Sequence, residues 1–211
     1  LWLVIAATKM PRASDEDGAL HLGATCRRLL KKPHYVRGVV AQFFYVGAQI
    51  CVWSFTIRYV MQELKVDEGS AADYYLMALV LFTLSRFGFT WLMKYVKPGR
   101  LLGVAALVAM LFTLVTIVGK GMVGVAALVA ISGCMSLMFP TIFGLASAGL
   151  GLDAKIGGSG LIMAILGGAL LTALQGLVSD AAGSIHVSYV VPLACFAVVA
   201  HYGFVGSKLR A

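Results

Sequence analysis

The chain has 211 residues, of which 60% are hydrophobic and only 12% charged, with a mean hydropathy of +0.91. A soluble domain carries about half apolar and a quarter charged residues, so this composition excludes a water-soluble globule. The net charge of +8 falls in gaps between long apolar runs, which points to membrane topology and away from nucleic acid as a partner.

The first apolar run, Leu1 to Thr8, is too short to cross a hydrocarbon core of roughly 30 Å. It also lacks the basic start and small-residue cleavage site of a signal peptide. Residues 1–8 are therefore expected to be the end of a truncated transmembrane helix, and 9–36 a polar cytoplasmic loop. Six complete spans follow, at about 37–61, 71–95, 99–119, 121–148, 155–178 and 188–206, with a tail at 207–211. The breaks between them carry turn and charge signals such as Lys97-Pro-Gly-Arg100 and Gly119-Lys-Gly121. The fold class expected is an all-α membrane protein.

Lysine and arginine set the orientation. Lys9, Arg12, Arg27, Arg28, Lys31, Lys32, Arg37, Lys94, Lys97, Arg100, Lys155, Lys208 and Arg210 fall on one side, against Arg58, Lys65 and Lys120 on the other. Thirteen against three puts the first set, and the C-terminus, in the cytoplasm.

Polar spacing shows which helix faces meet water or a ligand, at about 100° per residue. In the first span Gln42, Tyr45, Gln49 and Trp53 fall within an arc of about 80°. Amide, hydroxyl and flat aromatic groups together suit a sugar, with hydroxyls at its rim and C–H patches on its faces. The alternative is that both glutamines hydrogen-bond to a neighbouring helix. In the fourth span Ser132, Ser136, Phe139 and Phe143 share about 60°, and Pro140 signals a kink. This is a second candidate cavity face, with plain aromatic packing as its alternative.

The third span has only Thr113 and Thr116 as polar groups and is expected to face lipid, as is the sixth, with Pro192 near its start and His201 near its end. The fifth span places Gly160, Ala164, Gly168, Thr172 and Gly176 four apart, a stripe that lets another helix approach closely, in a moving or a static interface. Near the middle of the second span lies Arg86, with Thr83 and Thr90 on its face. An intramembrane charge is a functional hypothesis by default. All nine acidic residues fall in loops or at helix ends, so no carboxylate here sits deep enough to couple a proton. Cys26, Cys51, Cys134 and Cys195 form no CxxC pair, and the sequence implies neither a metal nor a cofactor.

Several of these segments resemble the L-fucose–proton symporter family of the major facilitator superfamily. Ala41-Gln-Phe-Phe-Tyr-Val-Gly-Ala-Gln49, Trp53-Ser54 and Ile57-Arg-Tyr59 are similar to its seventh helix. Arg86-Phe87, Thr90-Trp-Leu92, Phe139-Pro-Thr-Ile-Phe143, Gly167-Gly168, Val178-Ser-Asp-Ala-Ala-Gly183 and Pro192-Leu-Ala-Cys-Phe-Ala197 continue the match in order. The resemblance implies the C-terminal half of a twelve-helix carrier, built as two inverted three-helix repeats, whose missing N-terminal half forms the other wall. It implies a bacterial inner-membrane transporter, not an enzyme, moving L-fucose or a related hexose with a proton by alternating access. The first helix of each triplet would line the cavity, the second would lie between halves, and the third would face lipid. On that basis Gln42, Tyr45, Gln49, Trp53, Ser136 and Phe139 are candidate sugar contacts. Arg86, Thr83 and Thr90 are candidate coupling or interface residues, and Gly160, Ala164, Gly168 and Gly176 candidate packing positions. Phe139 stands where the L-fucose carriers would have tyrosine, which removes a hydroxyl.

One rival comes from another class. Gly157-Gly-Ser-Gly160 matches the G-x-S-G of rhomboid intramembrane proteases, which would pair Ser159 with His201.

Overall fold

A computed structural model describes residues 22–207. The expected truncated helix at 1–8, the loop before residue 22 and the tail beyond Ser207 lie outside the described residues.

The first described element departs from the expected 9–36 loop. Residues Leu22–Leu30 form a helix, α1, and the first span starts directly after it at Pro33. Thr25 and Leu29 are buried while Arg27 and Leu30 face outward, so α1 lies against the bundle on one face. Polar bonds fix it there. Arg28 donates to Thr25 Oγ1 at 2.7 Å and to both Asp153 oxygens, at 2.7 and 3.3 Å. Just beyond α1, Lys32 Nζ reaches the Gly149 carbonyl, and a ring nitrogen of His34 lies 3.1 Å from that of Ala148.

Six helical stretches are long and apolar enough to cross a membrane. The first is α2 (Pro33–Leu64), the second α3 (Glu68–Leu92) and the third α4 (Pro98–Val118). The fourth is broken into α5 (Gly121–Met135) and α6 (Met138–Ser147). A 3₁₀ turn at Gly151–Asp153 opens the fifth, which is broken into α7 (Ala154–Met163) and α8 (Leu166–Ala182). The sixth comprises α9 (Ile185–Ser188), α10 (Val190–His201) and a π turn, Tyr202–Gly206.

Local chemistry sets these ends. Pro33 and Pro98 start α2 and α4, where a missing N–H costs nothing and φ is already helical. Asp67 caps α3, accepting from the backbone N–H groups of Gly69 and Ser70. Gly183, at φ 59, turns the chain out of α8 in a left-handed conformation that costs glycine little.

The long α2 runs through the middle of the bundle and packs against α8, α10, α6, α3 and α5. Small residues make this possible. A Cβ on Gly167 of α8 would collide with the Phe43 carbonyl of α2, so two backbones touch there. Gly203 of the π turn lies in the same way against Gly103 of α4. In contrast, α3 buries only Ala71 and Ala78.

The expected lipid-facing character of the third and sixth spans holds for part of each only. Leu107, Leu111 and Leu114 of α4 face outward, but Thr113 and Thr116 are fully buried and return their hydroxyls to carbonyls four residues earlier. An isolated threonine can satisfy itself within its own helix, so its presence says nothing about which face looks out. The sixth span is more than half buried, with Tyr189, Phe196 and Val199 wholly enclosed.

Candidate functional site

Three polar rows on separate spans converge where the fourth span breaks. Pro140 has no N–H, so the carbonyl four residues earlier, on Ser136, has no partner within its own helix. Arg86 Nε of α3 donates to that carbonyl at 3.2 Å. The guanidinium also lies over the Phe82 ring, 5.3 Å from its centroid. Phe82 in turn meets Trp53 of α2 edge-on at 5.2 Å, and Trp53 Nε1 donates to Ser132 Oγ of α5 at 3.3 Å. A continuous chain of contacts, Ser136–Arg86–Phe82–Trp53–Ser132, therefore links the first, second and fourth spans.

Beside it lies a cleft of about 410 Å³, lined by Arg86, Thr90, Met93, Ser136, Pro140 and Thr141 among others. Its walls are mainly apolar, and the Thr90 and Thr141 hydroxyls are returned to carbonyls of their own helices. The Ser136 hydroxyl is buried without a hydrogen-bond partner. Phe139 stacks on Phe143 and meets Tyr45 edge-on at 6.3 Å. Phe82 was not among the sequence candidates. Its position four residues before Arg86, on the same helical face, was the available signal.

The row on α2 divides. Gln49 and Trp53 are half-buried, but Gln42 and Tyr45 have no exposed surface, so neither opens onto a passage in this conformation. The reason is the central position of α2, whose inward face meets protein all along its first half. Tyr45 donates to the Met135 carbonyl at 3.0 Å, the last residue of α5 before the break. Gln42 has no partner for either its amide N–H₂ or its carbonyl oxygen. An unsatisfied buried amide costs about 1–3 kcal/mol, so the expected inter-helix bond does not explain this residue either.

Thr83, Arg86 and Thr90 are all exposed, on a helix the bundle barely covers. Both threonine hydroxyls return to carbonyls of their own helix, at 2.9 and 2.7 Å. Along the fifth span, Gly160 lies against Tyr35 and Gly168 against Val46 and Ile50, with Ala164 buried between them. That part of the stripe is a contact with α2 inside the bundle and not an interface with another half. Gly176 has nothing packed against it. The proposed protease pair is not assembled: Ser159 Oγ donates to the Lys155 carbonyl, and no hydrogen bond joins it to His201 among the described residues.

No family model matches the chain. It is 38% identical to an L-fucose-proton symporter of Haemophilus influenzae, over 99% of this chain and 50% of that protein. An L-fucose-proton symporter of Escherichia coli is 41% identical over 93% of this chain and 46% of its own length. A glucose/galactose transporter of Brucella abortus is 35% identical over 99% and 50%. The crystal structure of the Escherichia coli fucose:proton symporter superimposes with a TM-score of 0.89 and 38% identity, covering 98% of this chain and 52% of that one. A crystal structure of a major facilitator superfamily transporter in the outward conformation gives the same TM-score. The chain spans about half the length of the curated relatives it matches.

Proposed function

On the premise that this chain resembles the C-terminal half of the L-fucose–proton symporter family, with the six-helix fold of the major facilitator superfamily, we propose that it forms one wall of a monosaccharide carrier. The carrier takes up L-fucose or a related hexose together with a proton, by alternating access in a bacterial inner membrane. An N-terminal half of similar size supplies the facing wall, and the Lys/Arg-rich helix ends, with the C-terminus, lie in the cytoplasm. The integral membrane character itself follows from the six spans and the relatives, which are transporters and not enzymes.

The observation that carries this reading is the meeting of Trp53, Arg86 and Ser136 at the break in the fourth span. Irregular backbone inside a membrane is tolerated where it is buried in protein or lines a cavity, and transporter folds place substrate at such breaks. In this reading Trp53 and Phe139 stack on the sugar's C–H faces, and Ser136 and Gln49 bond its hydroxyls. Gln42, whose amide is unpaired here, gains a partner when the bundle rearranges around substrate. Arg86, Thr83 and Thr90 face the second half across the unburied side of α3. The lost Phe139 hydroxyl leaves the choice among hexoses to the other side chains.

Uptake of labelled L-fucose, galactose and glucose by cells expressing the gene that carries this chain tests the proposal. Accumulation of one of them that collapses when the proton gradient is dissipated is expected. Ser136→Ala is expected to lower that uptake about tenfold, the equivalent of about 1.4 kcal/mol of hydrogen bonding. Accumulation that survives loss of the gradient overturns proton coupling, and full uptake by the Ser136 variant removes that residue from the pathway.

A further inference from the structure

At the end of the bundle opposite the Lys/Arg-rich side, four helix ends meet on a pair of side chains that the transport reading does not use. Glu63 closes α2, and His186 opens α9. His186 Nε2 lies 2.8 Å from Glu63 Oε1, and Nδ1 lies 3.2 Å from the Thr116 carbonyl near the end of α4. The other carboxylate oxygen accepts the backbone N–H of Gly121, the first residue of α5. Both side chains are largely shielded, with 20% exposure for His186 and 11% for Glu63.

The hydrogen inventory of this arrangement is constrained. A carbonyl oxygen only accepts, so Nδ1 carries a hydrogen. At 2.8 Å another hydrogen lies between Nε2 and the carboxyl oxygen. A neutral imidazole has one N–H and an ionised carboxylate has none, so the pair as built holds one proton more than those two groups own separately.

We propose that Glu63 and His186 form a proton-binding site, and that its occupancy clasps the start of the sixth span to the ends of the first and third and the start of the fourth. The proton rests on the ring, whose two nitrogens each face an acceptor, while the second carboxylate oxygen is taken by the Gly121 N–H. When it leaves for solvent, the neutral ring keeps a single N–H, so one of the two bonds, to Glu63 or to the Thr116 carbonyl, is replaced by a lone pair facing an acceptor. Other titratable groups bear on the site from each side. Tyr59 of α2 packs edge-on to the imidazole at 5.0 Å, with its hydroxyl donated to the same Thr116 carbonyl at 2.8 Å, and Tyr189 of the sixth span packs behind Tyr59 at 5.5 Å. Lys120 precedes Gly121, and α4 contributes only its backbone. Arg58 and Asp180, the charged groups next nearest along the first span and before the sixth, line a separate polar cleft of about 370 Å³ with Gln62, Ser184 and Ile185. The inference stands on this geometry and is independent of which solute the protein carries.

Ring-nitrogen NMR on the membrane-reconstituted full-length protein that carries this chain tests it. With histidines ¹⁵N-labelled, the His186 signals are identified by their loss in His186→Gln, and their N–H groups are then counted directly. At one fixed, near-neutral pH two ring N–H signals are expected, one toward each acceptor. Glu63→Gln, which removes the carboxylate but not the bulk, is expected to leave one. A single N–H at that pH in the chain that retains Glu63 overturns the proposal without recourse to any further variant. Two N–H signals that persist in Glu63→Gln overturn the role of the carboxylate.

Discussion

The first and second spans are both apolar helices with a row of polar residues, yet they occupy opposite situations. On α2 the row begins at Gln42 and Tyr45, sealed inside the bundle, and becomes partly open only at Gln49 and Trp53. On α3 Thr83, Arg86 and Thr90 lie on a surface that the other five spans leave uncovered. A buried row must find its partners within the bundle, and Gln42 fails to; an exposed row in a membrane protein needs a partner from outside it or must satisfy itself. Thr83 and Thr90 do the latter, while Arg86 reaches back to the Ser136 carbonyl. The difference teaches that polar periodicity identifies a face and says nothing about what that face meets.

Substitutions on the two helices should separate their roles. The largest effect is expected where α2 carries the bundle. Gly167→Val drives a side chain into the Phe43 backbone and should cost about 3 kcal/mol, read as a lowered thermal unfolding midpoint in detergent. The matching change on the exposed helix, Gly88→Val, meets open space and should stay within roughly 0.5 kcal/mol. Comparable losses at both sites would erase the contrast between central and peripheral spans.

Next in size, Tyr45→Phe removes the bond to Met135 and leaves a buried carbonyl unpaired, for a loss of about 1–2 kcal/mol in the same measurement. A smaller effect, about 1 kcal/mol, is expected for Arg86→Ala, and its size should depend on Pro140. In a Pro140→Ala background the restored amide serves the Ser136 carbonyl from within the helix, so the Arg86 change should cost less there than alone. Strict additivity in that double-mutant cycle would mean that Arg86 does not splint the break.

The smallest effect belongs to the cap of α3. The Ser70 hydroxyl, joined by the backbone N–H groups of Ser70 and Gly69, holds the Asp67 carboxyl below its usual range. A depressed carboxyl stabilises the fold above its unfolded titration range and loses that contribution as pH falls through the folded one. Asp67→Asn should therefore flatten the acid side of the unfolding-midpoint profile, lowering the midpoint slightly near neutrality and leaving it unchanged at the acid end.

The six spans were legible because apolar runs of membrane length leave few alternatives, and the Lys/Arg breaks marked their ends. Arg86 stood out as an intramembrane charge, but that α3 leaves it exposed was not legible from the residues alone, since exposure depends on how the other spans pack. The burial of Gln42 and Tyr45 was not, because it depends on α2 being central, and centrality is a property of the whole bundle. Arg86 and Pro140 were each visible, but the bond between one helix's cation and another helix's freed carbonyl joins positions 50 residues apart. Glu63 and His186, 123 residues apart, were hidden by the same distance, each alone looking like an ordinary residue at a helix end. Residues 22–30 looked like a loop because their helix is held by Asp153, far along the chain, and not by any apolar run of its own.

That last attachment changes how motion enters the molecule. Because Arg28, Lys32 and His34 grip the turn between the fourth and fifth spans, a displacement of α1 displaces that turn as well. The helix therefore ties the start of the first span to the turn between the fourth and fifth, and cutting the Arg28–Asp153 coupling would leave that tie slack.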